Sequence, residues 1–174
     1  MKKELLLWQF SGFTVTVVLG TVLHFLFDWT GAFSLAPISA VNESTWEHMK
    51  ILFFPSFLFA CVQYWFFRPE SPGFWWIKLI GITVSVISIP ILFYTYNGAF
   101  GKTPDWLNIT FFFLAAAIGY SIEYLLLRKD FSLGYSWIAF ALLVFIGAAF
   151  AFFTFYPPRL PLFQDPITRL YGII

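Results

Sequence analysis

The stretch Val41-Asn42-Glu43-Ser44-Thr45-Trp46-Glu47-His48-Met49-Lys50 opens onto an apolar run that continues from Ile51 to Phe67. A helix of roughly 20 apolar residues crosses the hydrocarbon core of a bilayer, so the run predicts a transmembrane helix starting near Asn42 or Ser44. The ten residues before it hold two of the nine acidic residues and one of the two histidines. In a chain that is 60% hydrophobic and 11% charged, ionisable groups packed at the mouth of a span are costly, and we read them as a site.

Working outward, the same apolar pattern recurs on both sides. With 24% aromatic residues and a mean hydropathy of +0.79, the chain has too much apolar surface for a water-soluble domain. The net charge of +1, without a basic stripe, excludes nucleic-acid binding as the expected function. The single cysteine, Cys61, lies inside an apolar run and reads as a packing residue.

The N-terminus, Met1-Lys2-Lys3-Glu4 followed by an apolar run to about Phe27, imitates a signal peptide. The run is too long for one and lacks a small-residue cleavage site, which predicts a retained first span. The expected fold is all-α: a polytopic bundle of five transmembrane helices spanning about 5–27, 44–67, 74–96, 105–127 and 134–156. Pro55 and Pro90 fall inside helices two and three and predict bends, Pro55 freeing the Ile51 carbonyl. Residues 28–40 read as a loop with Gly31 and Pro37 as breakers, 68–73 as a tight polar turn, and 97–103 as a Gly-rich connection.

Residues 157–174 contain Pro157, Pro158, Pro161 and Pro166, which exclude a further span. Interleaved Leu160, Leu162, Phe163, Ile167 and Tyr171 argue against a free tail, and predict an ordered segment folded over one mouth of the bundle. Lys2, Lys3, Arg68, Lys78, Arg128 and Lys129 on one side outnumber Lys50, Lys102, Arg159 and Arg169 on the other. The positive-inside rule then puts the N-terminus in the cytoplasm and the C-terminal segment outside. Trp29, Trp46 and Trp106 mark the outer interface, and Trp8, Trp65, Trp75, Trp76 and Trp137 the inner one.

This topology gathers His24, Asp28, Glu43, Glu47, His48, Asp105 and Asp165 at the outer face. His24 and His48 each lie about one turn inside neighbouring antiparallel helices, so they are expected at similar depth. Ser44-Thr45-Trp46-Glu47 is also a capping box, which assigns Ser44 and Glu47 a structural role. Glu43 and Glu47 form a like-charge pair four residues apart that calls for a proton or a cation, for which Lys50, Arg159 and Arg169 are candidates.

Three chemistries suit the set. A divalent metal such as zinc takes His24 and His48 with Glu43, Glu47 or Asp28, although no His-Glu-x-x-His spacing is present. A metal-free acid/base pair such as His48 with Glu43 is the second. A proton or cation pathway is the third, but only Glu123 extends the set inward, and an interfacial ion pair with Arg128 explains Glu123 more simply. Catalytic candidates are thus Glu43, Glu47, His48 and His24; substrate-binding candidates are Asp28, Asn42, Lys50, Arg159, Asp165 and Arg169.

Two stretches, Val41-Asn42-Glu43-Ser44-x-Trp46-Glu47-His48-x-Lys50 and Pro157-Pro158-x-x-Pro161-Leu162-Phe163-x-Asp165-Pro166, resemble the signatures of an uncharacterised family of small bacterial integral membrane proteins. The resemblance implies a bacterial plasma-membrane protein and brings no activity or cofactor. The expected function is therefore open between three classes. One is a membrane-embedded hydrolase or transferase acting on a lipid or other amphiphile. The second is a small transporter or ligand-binding membrane protein, and the third a structural or assembly partner without chemistry.

Overall fold

The computed structural model describes residues 2–67, 73–129 and 131–173. Five helices alternate in direction: α1 (Lys2–Thr30), α2 (Thr45–Phe67), α3 (Phe74–Phe100), α4 (Asp105–Leu127) and α5 (Ser136–Phe155). Each is long and apolar enough to cross a membrane, so the chain is an all-α, multi-pass membrane protein. The predicted polar turn at 68–73 lies, apart from Gly73, outside the described residues.

The bounds differ from the expected ones where apolar character is a poor guide. α1 runs on through Asp28 to Thr30, so Asp28 is helical rather than part of a loop. Gly31, with φ +59°, ends that helix by donating its N–H to the Phe27 carbonyl at 2.8 Å. α3 continues through Asn97 and Gly98 to Phe100. Polar residues in the last turn satisfy its backbone from the side: the Asn97 amide donates to the Phe93 carbonyl at 2.9 Å, and its oxygen accepts the Thr103 N–H at 2.8 Å.

α2 is the centre of the bundle. Of its most apolar window 56% is buried, against 22–39% for the other helices, and it touches all four of them. Ile51, Leu52 and Phe53 are almost fully buried where α1, α4 and α5 converge on it. Pro55 leaves the Ile51 carbonyl unpaired within the helix, and Gly20 of α1 packs there: a Cβ at Gly20 would stand 3.0 Å from that oxygen. Against α5, Phe53 meets Phe150 and Phe57 meets Phe140, at centroid distances of 5.3 and 5.9 Å.

Small residues let α3 and α4 approach closely. Gly119 faces Ser85 and the Gly81 carbonyl, and Gly81 faces the Glu123 side chain, so that a Cβ at either glycine would collide. Glu123 is buried in an ion pair with Lys78 of α3, at 2.5 Å. This corrects the expected pairing with Arg128 at the interface: the helix contact, not proximity in sequence, selects the partner. It also removes Lys78 from the loop charges.

Gln9 of α1 and Gln63 of α2 are buried in the same half of the molecule, about one turn beyond the contact of Gly12 with Phe59 and Tyr120. Neither amide has a hydrogen-bond partner among the described residues. Tyr120 donates to or accepts from Thr16 at 2.7 Å, and Thr16 lies 3.4 Å from Ser56. Polar side chains thus fill one half of the bundle interior, a feature that hydropathy alone hides.

Candidate functional site

The opposite end of the bundle collects the C-terminus of α1, the N-terminus of α2, the α3–α4 connection and the C-terminal segment. His24 sits on α1 and His48 in the first turn of α2, and Glu43 just precedes that helix. Because α2 starts at Thr45, Glu43 and Glu47 do not share a helical face, and the expected like-charge pair does not form. Glu43 Oε2 instead lies 3.6 Å from Nε2 of His24 and 3.6 Å from Nε2 of His48. The two imidazoles meet edge to face, with centroids 5.2 Å apart.

One ligand atom from each of these three residues lies within 4.8 Å of the others. Tetrahedral ligands at about 2.1 Å from a metal stand about 3.4 Å apart, close to the observed His–Glu separations. The tautomer of His48 fits as well. Its Nδ1 lies 2.9 Å from the Ser44 carbonyl, which can only accept, so Nδ1 carries the proton and Nε2 presents its lone pair to the group. The side chains of His24, His48 and Glu43 are 22%, 24% and 41% exposed, so the group is open to a ligand.

Glu43 is held below the usual carboxylate range, chiefly by its hydrogen bond with His24 and further by the charge of the two histidines. Partial burial works the other way and does not prevail.

Glu47 does not join this group. It is buried in an ion pair with Lys50, whose ammonium also donates to the Ala36 carbonyl at 2.9 Å and to Thr154 Oγ1 at 2.7 Å. Three acceptors match the three protons of the ammonium. Glu47 in turn accepts the Val41 N–H at 3.1 Å, and Thr154 Oγ1 stands 3.3 Å from its other oxygen. The capping box is half made: Ser44 Oγ accepts the Glu47 N–H at 3.4 Å, while the Ser44 N–H goes to Asn42 Oδ1 at 2.8 Å. Glu47 and Lys50 therefore tie the 32–41 segment and α5 to α2.

The remaining candidates divide. Asn42 donates to the Gly172 carbonyl at 2.7 Å, and Asp165 Oδ2 lies 3.5 Å from the Glu43 N–H it accepts. Asp165 Oδ1 also accepts from Ile167 and Thr168, at 2.7 and 3.2 Å, which closes a tight turn. Phe163, in the short 3₁₀ turn Pro161–Phe163, stacks on Trp46 at 4.5 Å. Trp46 is thus packed between the C-terminal segment and Phe150. Asp28 is exposed and makes no ion pair with His24, and Arg159 is exposed and forms no ion pair with Glu43 or Glu47.

Beside the group lies a cavity of about 840 Å³. Glu43 and His48 form part of its wall, Phe93, Phe111 and Phe112 supply an apolar side, and Lys102, Asp105 and Arg169 a charged one. Asn97, Thr103 and Asn108, which also line it, escaped the reading of the sequence, as did Thr154. The place of each depends on how the helices pack, which no local pattern in the sequence reports.

A family model described as "Family of unknown function (DUF6512)" matches residues 1–173. The chain belongs to that family. The match runs through all five helices and both signature stretches, so the His24/Glu43/His48 group and the turn around Asp165 lie inside it. Among curated proteins and solved structures, nothing matches this chain.

Proposed function

We propose that this protein is a membrane-embedded hydrolase or transferase that acts on an amphiphile, using a divalent metal such as zinc held by His24, Glu43 and His48. The observation that carries the reading is the convergence of three ligand atoms, from two helices and a connecting segment, two of whose residues, Glu43 and His48, line a cavity that is charged on one side and aromatic on the other. Three protein ligands leave one tetrahedral position for water or substrate, the arrangement of a catalytic rather than a structural zinc site. Held by His24, Glu43 and His48, a metal would supply Lewis acidity and a water activated near neutral pH.

The chain's own groups have distinct parts in this reading. The Ser44 carbonyl fixes the His48 tautomer, and Asp165, through the Glu43 backbone, holds the carboxylate toward the histidines. Asp105 is a second carboxylate on the cavity wall, within the substrate's space, and is the candidate to take a proton from the attacking water. The aromatic side receives the apolar part of the substrate and keeps water from it.

Orientation and location belong to the same proposal. Lys50 and Lys78 are buried in ion pairs, which leaves Lys2, Lys3, Arg68, Arg128 and Lys129 to be weighed against Lys102, Arg159 and Arg169. The balance still favours a cytoplasmic N-terminus and a site on the outer face of a bacterial plasma membrane.

A second reading, a small transporter, draws support from buried Gln9, Gln63, Lys78 and Glu123 in the other half of the bundle. The apolar layer of Val17, Leu52, Phe53 and Phe112 between the two halves weighs against it. Elemental analysis of the purified protein, repeated on His48→Ala, tests the main reading. A stoichiometric divalent metal lost in the variant supports it; a metal-free wild type excludes it.

A further inference from the structure

The cavity carries more than the metal reading uses. Lys102, in the α3–α4 connection, and Arg169, in the C-terminal turn, both line it, and among the described residues neither is in an ion pair. Glu43 and Asp105 are the carboxylates of the wall, and Glu43 is hydrogen-bonded to His24. The remaining balance is cationic.

Two further observations show that this side is built for a ligand. Thr103 is 3% exposed, yet among the described residues its hydroxyl has no hydrogen-bond partner, and the Asn108 side-chain oxygen is buried and equally unpartnered. Both residues line the cavity. A buried hydroxyl without a partner is costly in a membrane protein and points to a polar group from outside the chain. Arg169, moreover, has φ +64°, a left-handed conformation rare for a long side chain. It is locked there by its own N–H to the Asp165 carbonyl at 3.0 Å and by Gln164, whose amide donates to the Arg169 carbonyl at 3.1 Å. Strained backbone held by surrounding bonds is characteristic of functional positions.

We propose that the cavity binds a phosphate-bearing amphiphile, its phosphate between Lys102 and Arg169 near the Thr103 hydroxyl, and its chain against Ile89, Phe93, Phe111 and Phe112. A phosphate presents several non-bridging oxygens to separate donors, and a guanidinium engages two of them at once. Asn108 is placed to accept from a headgroup hydroxyl. The proposal rests on the reading of this cavity as the substrate site, and adds the chemical class of the substrate to it.

The test uses the full-length protein in detergent, with phosphatidic acid, diacylglycerol of the same chains, glycerol 3-phosphate and inorganic phosphate as probes. Binding is read by native mass spectrometry and by the shift in melting temperature, on wild type, Lys102→Gln, Arg169→Asn and His48→Ala. Asparagine tolerates the left-handed conformation, so Arg169→Asn removes the cation without straining the turn. Phosphatidic acid is expected to bind at least about tenfold tighter than diacylglycerol, and each cation variant to lose about tenfold for phosphatidic acid alone.

Equal affinity for diacylglycerol, or cation variants that bind phosphatidic acid like wild type, overturns the proposal. Inorganic phosphate binding as tightly as phosphatidic acid overturns the amphiphile assignment and leaves a free-phosphate site. Metal content separates this proposal from the hydrolase reading. If phosphatidic acid is discriminated by a metal-free wild type, the metal reading alone fails; if the metal is present and discrimination is absent, the lipid assignment alone fails.

Discussion

His24 and His48 meet edge to face at a centroid distance of 5.2 Å, each turning Nε2 to the same carboxylate oxygen of Glu43. The 31–44 connection between the two helices does not close the contact by itself. α1 and α2 pack antiparallel through Gly20 at the Ile51 carbonyl, and this brings the end of one helix level with the start of the other. This close approach, about one helical turn from each histidine, helps to set the distance between the two side chains.

The first prediction concerns the ligands. His24→Ala, His48→Ala and Glu43→Gln should each weaken metal binding by more than about 100-fold, because loss of even a group that only hydrogen-bonds to a ligand costs about 10–100-fold. Competition against a chromophoric chelator measures it. Variants that keep wild-type affinity would exclude the three residues as ligands.

The second concerns pH. Glu43 has a lowered pKa in the folded protein, so the fold binds fewer protons at this carboxyl than the unfolded chain does. Its contribution to stability is present above the unfolded value of about 4.3 and is lost as pH falls through the lower folded value. Melting temperature measured across pH 3 to 6 should therefore decline less in Glu43→Gln than in wild type. Parallel curves would show that the His24–Glu43 contact carries no stability.

How much of this was legible in the chain follows from the kind of interaction involved. The five spans were legible because hydropathy is local: Ser136–Phe155 contains no charged residue at all. The approach of His24 to His48 was legible too, because consecutive helices joined by one connection must be antiparallel neighbours. That Lys50 could supply the cation for Glu47 was legible as well, and the pair forms; the separation of Glu47 from Glu43 was not. It turns on whether α2 starts before or after Glu43, and the Asn42–Ser44 hydrogen bond decides that outside any periodic pattern. The Lys78–Glu123 pair was illegible for another reason: it depends on the close approach of α3 and α4 at Gly81 and Gly119.

The third prediction separates the structural carboxylate from the functional one. Lys50→Met leaves Glu47 buried without its cation and should cost about 3–5 kcal/mol, whereas Lys50→Met with Glu47→Gln should recover much of that loss. Chemical denaturation in mixed micelles measures both. Metal affinity in the double variant should stay near that of wild type, since Glu47 lies outside the His24/Glu43/His48 group.

The fourth tests the helix approach. Gly119→Val places a branched side chain where Ser85 Oγ and the Gly81 carbonyl already stand, and neither the carbonyl nor the short serine can withdraw far. α3 and α4 must separate, which also opens the Lys78–Glu123 pair. A loss of several kcal/mol, at the upper end of what overpacking costs, is expected. A variant with the wild-type melting temperature would show that the two helices do not pack at this point.

The last prediction is that the C-terminal segment tunes the site without touching a ligand atom. Asn42 holds Gly172 at 2.7 Å with its amide and the Ser44 N–H at 2.8 Å with its oxygen, so one side chain joins the segment to the start of α2. Asp165 accepts the Glu43 N–H from the other side and braces its own turn through Ile167 and Thr168. Glu43 therefore hangs between two anchors, and releasing either lets its carboxylate swing away from both histidines. Asn42→Ala should lower metal affinity about 10–100-fold, the loss typical of removing a group that orients a ligand, with unchanged helix content by circular dichroism. Truncation after Tyr156 goes further, since it also strips Phe163 from Trp46 and exposes an aromatic face. It should lower the melting temperature as well as the affinity. If Asn42→Ala binds metal like wild type, the carboxylate is held by the histidines alone, and the segment serves only to cover Trp46.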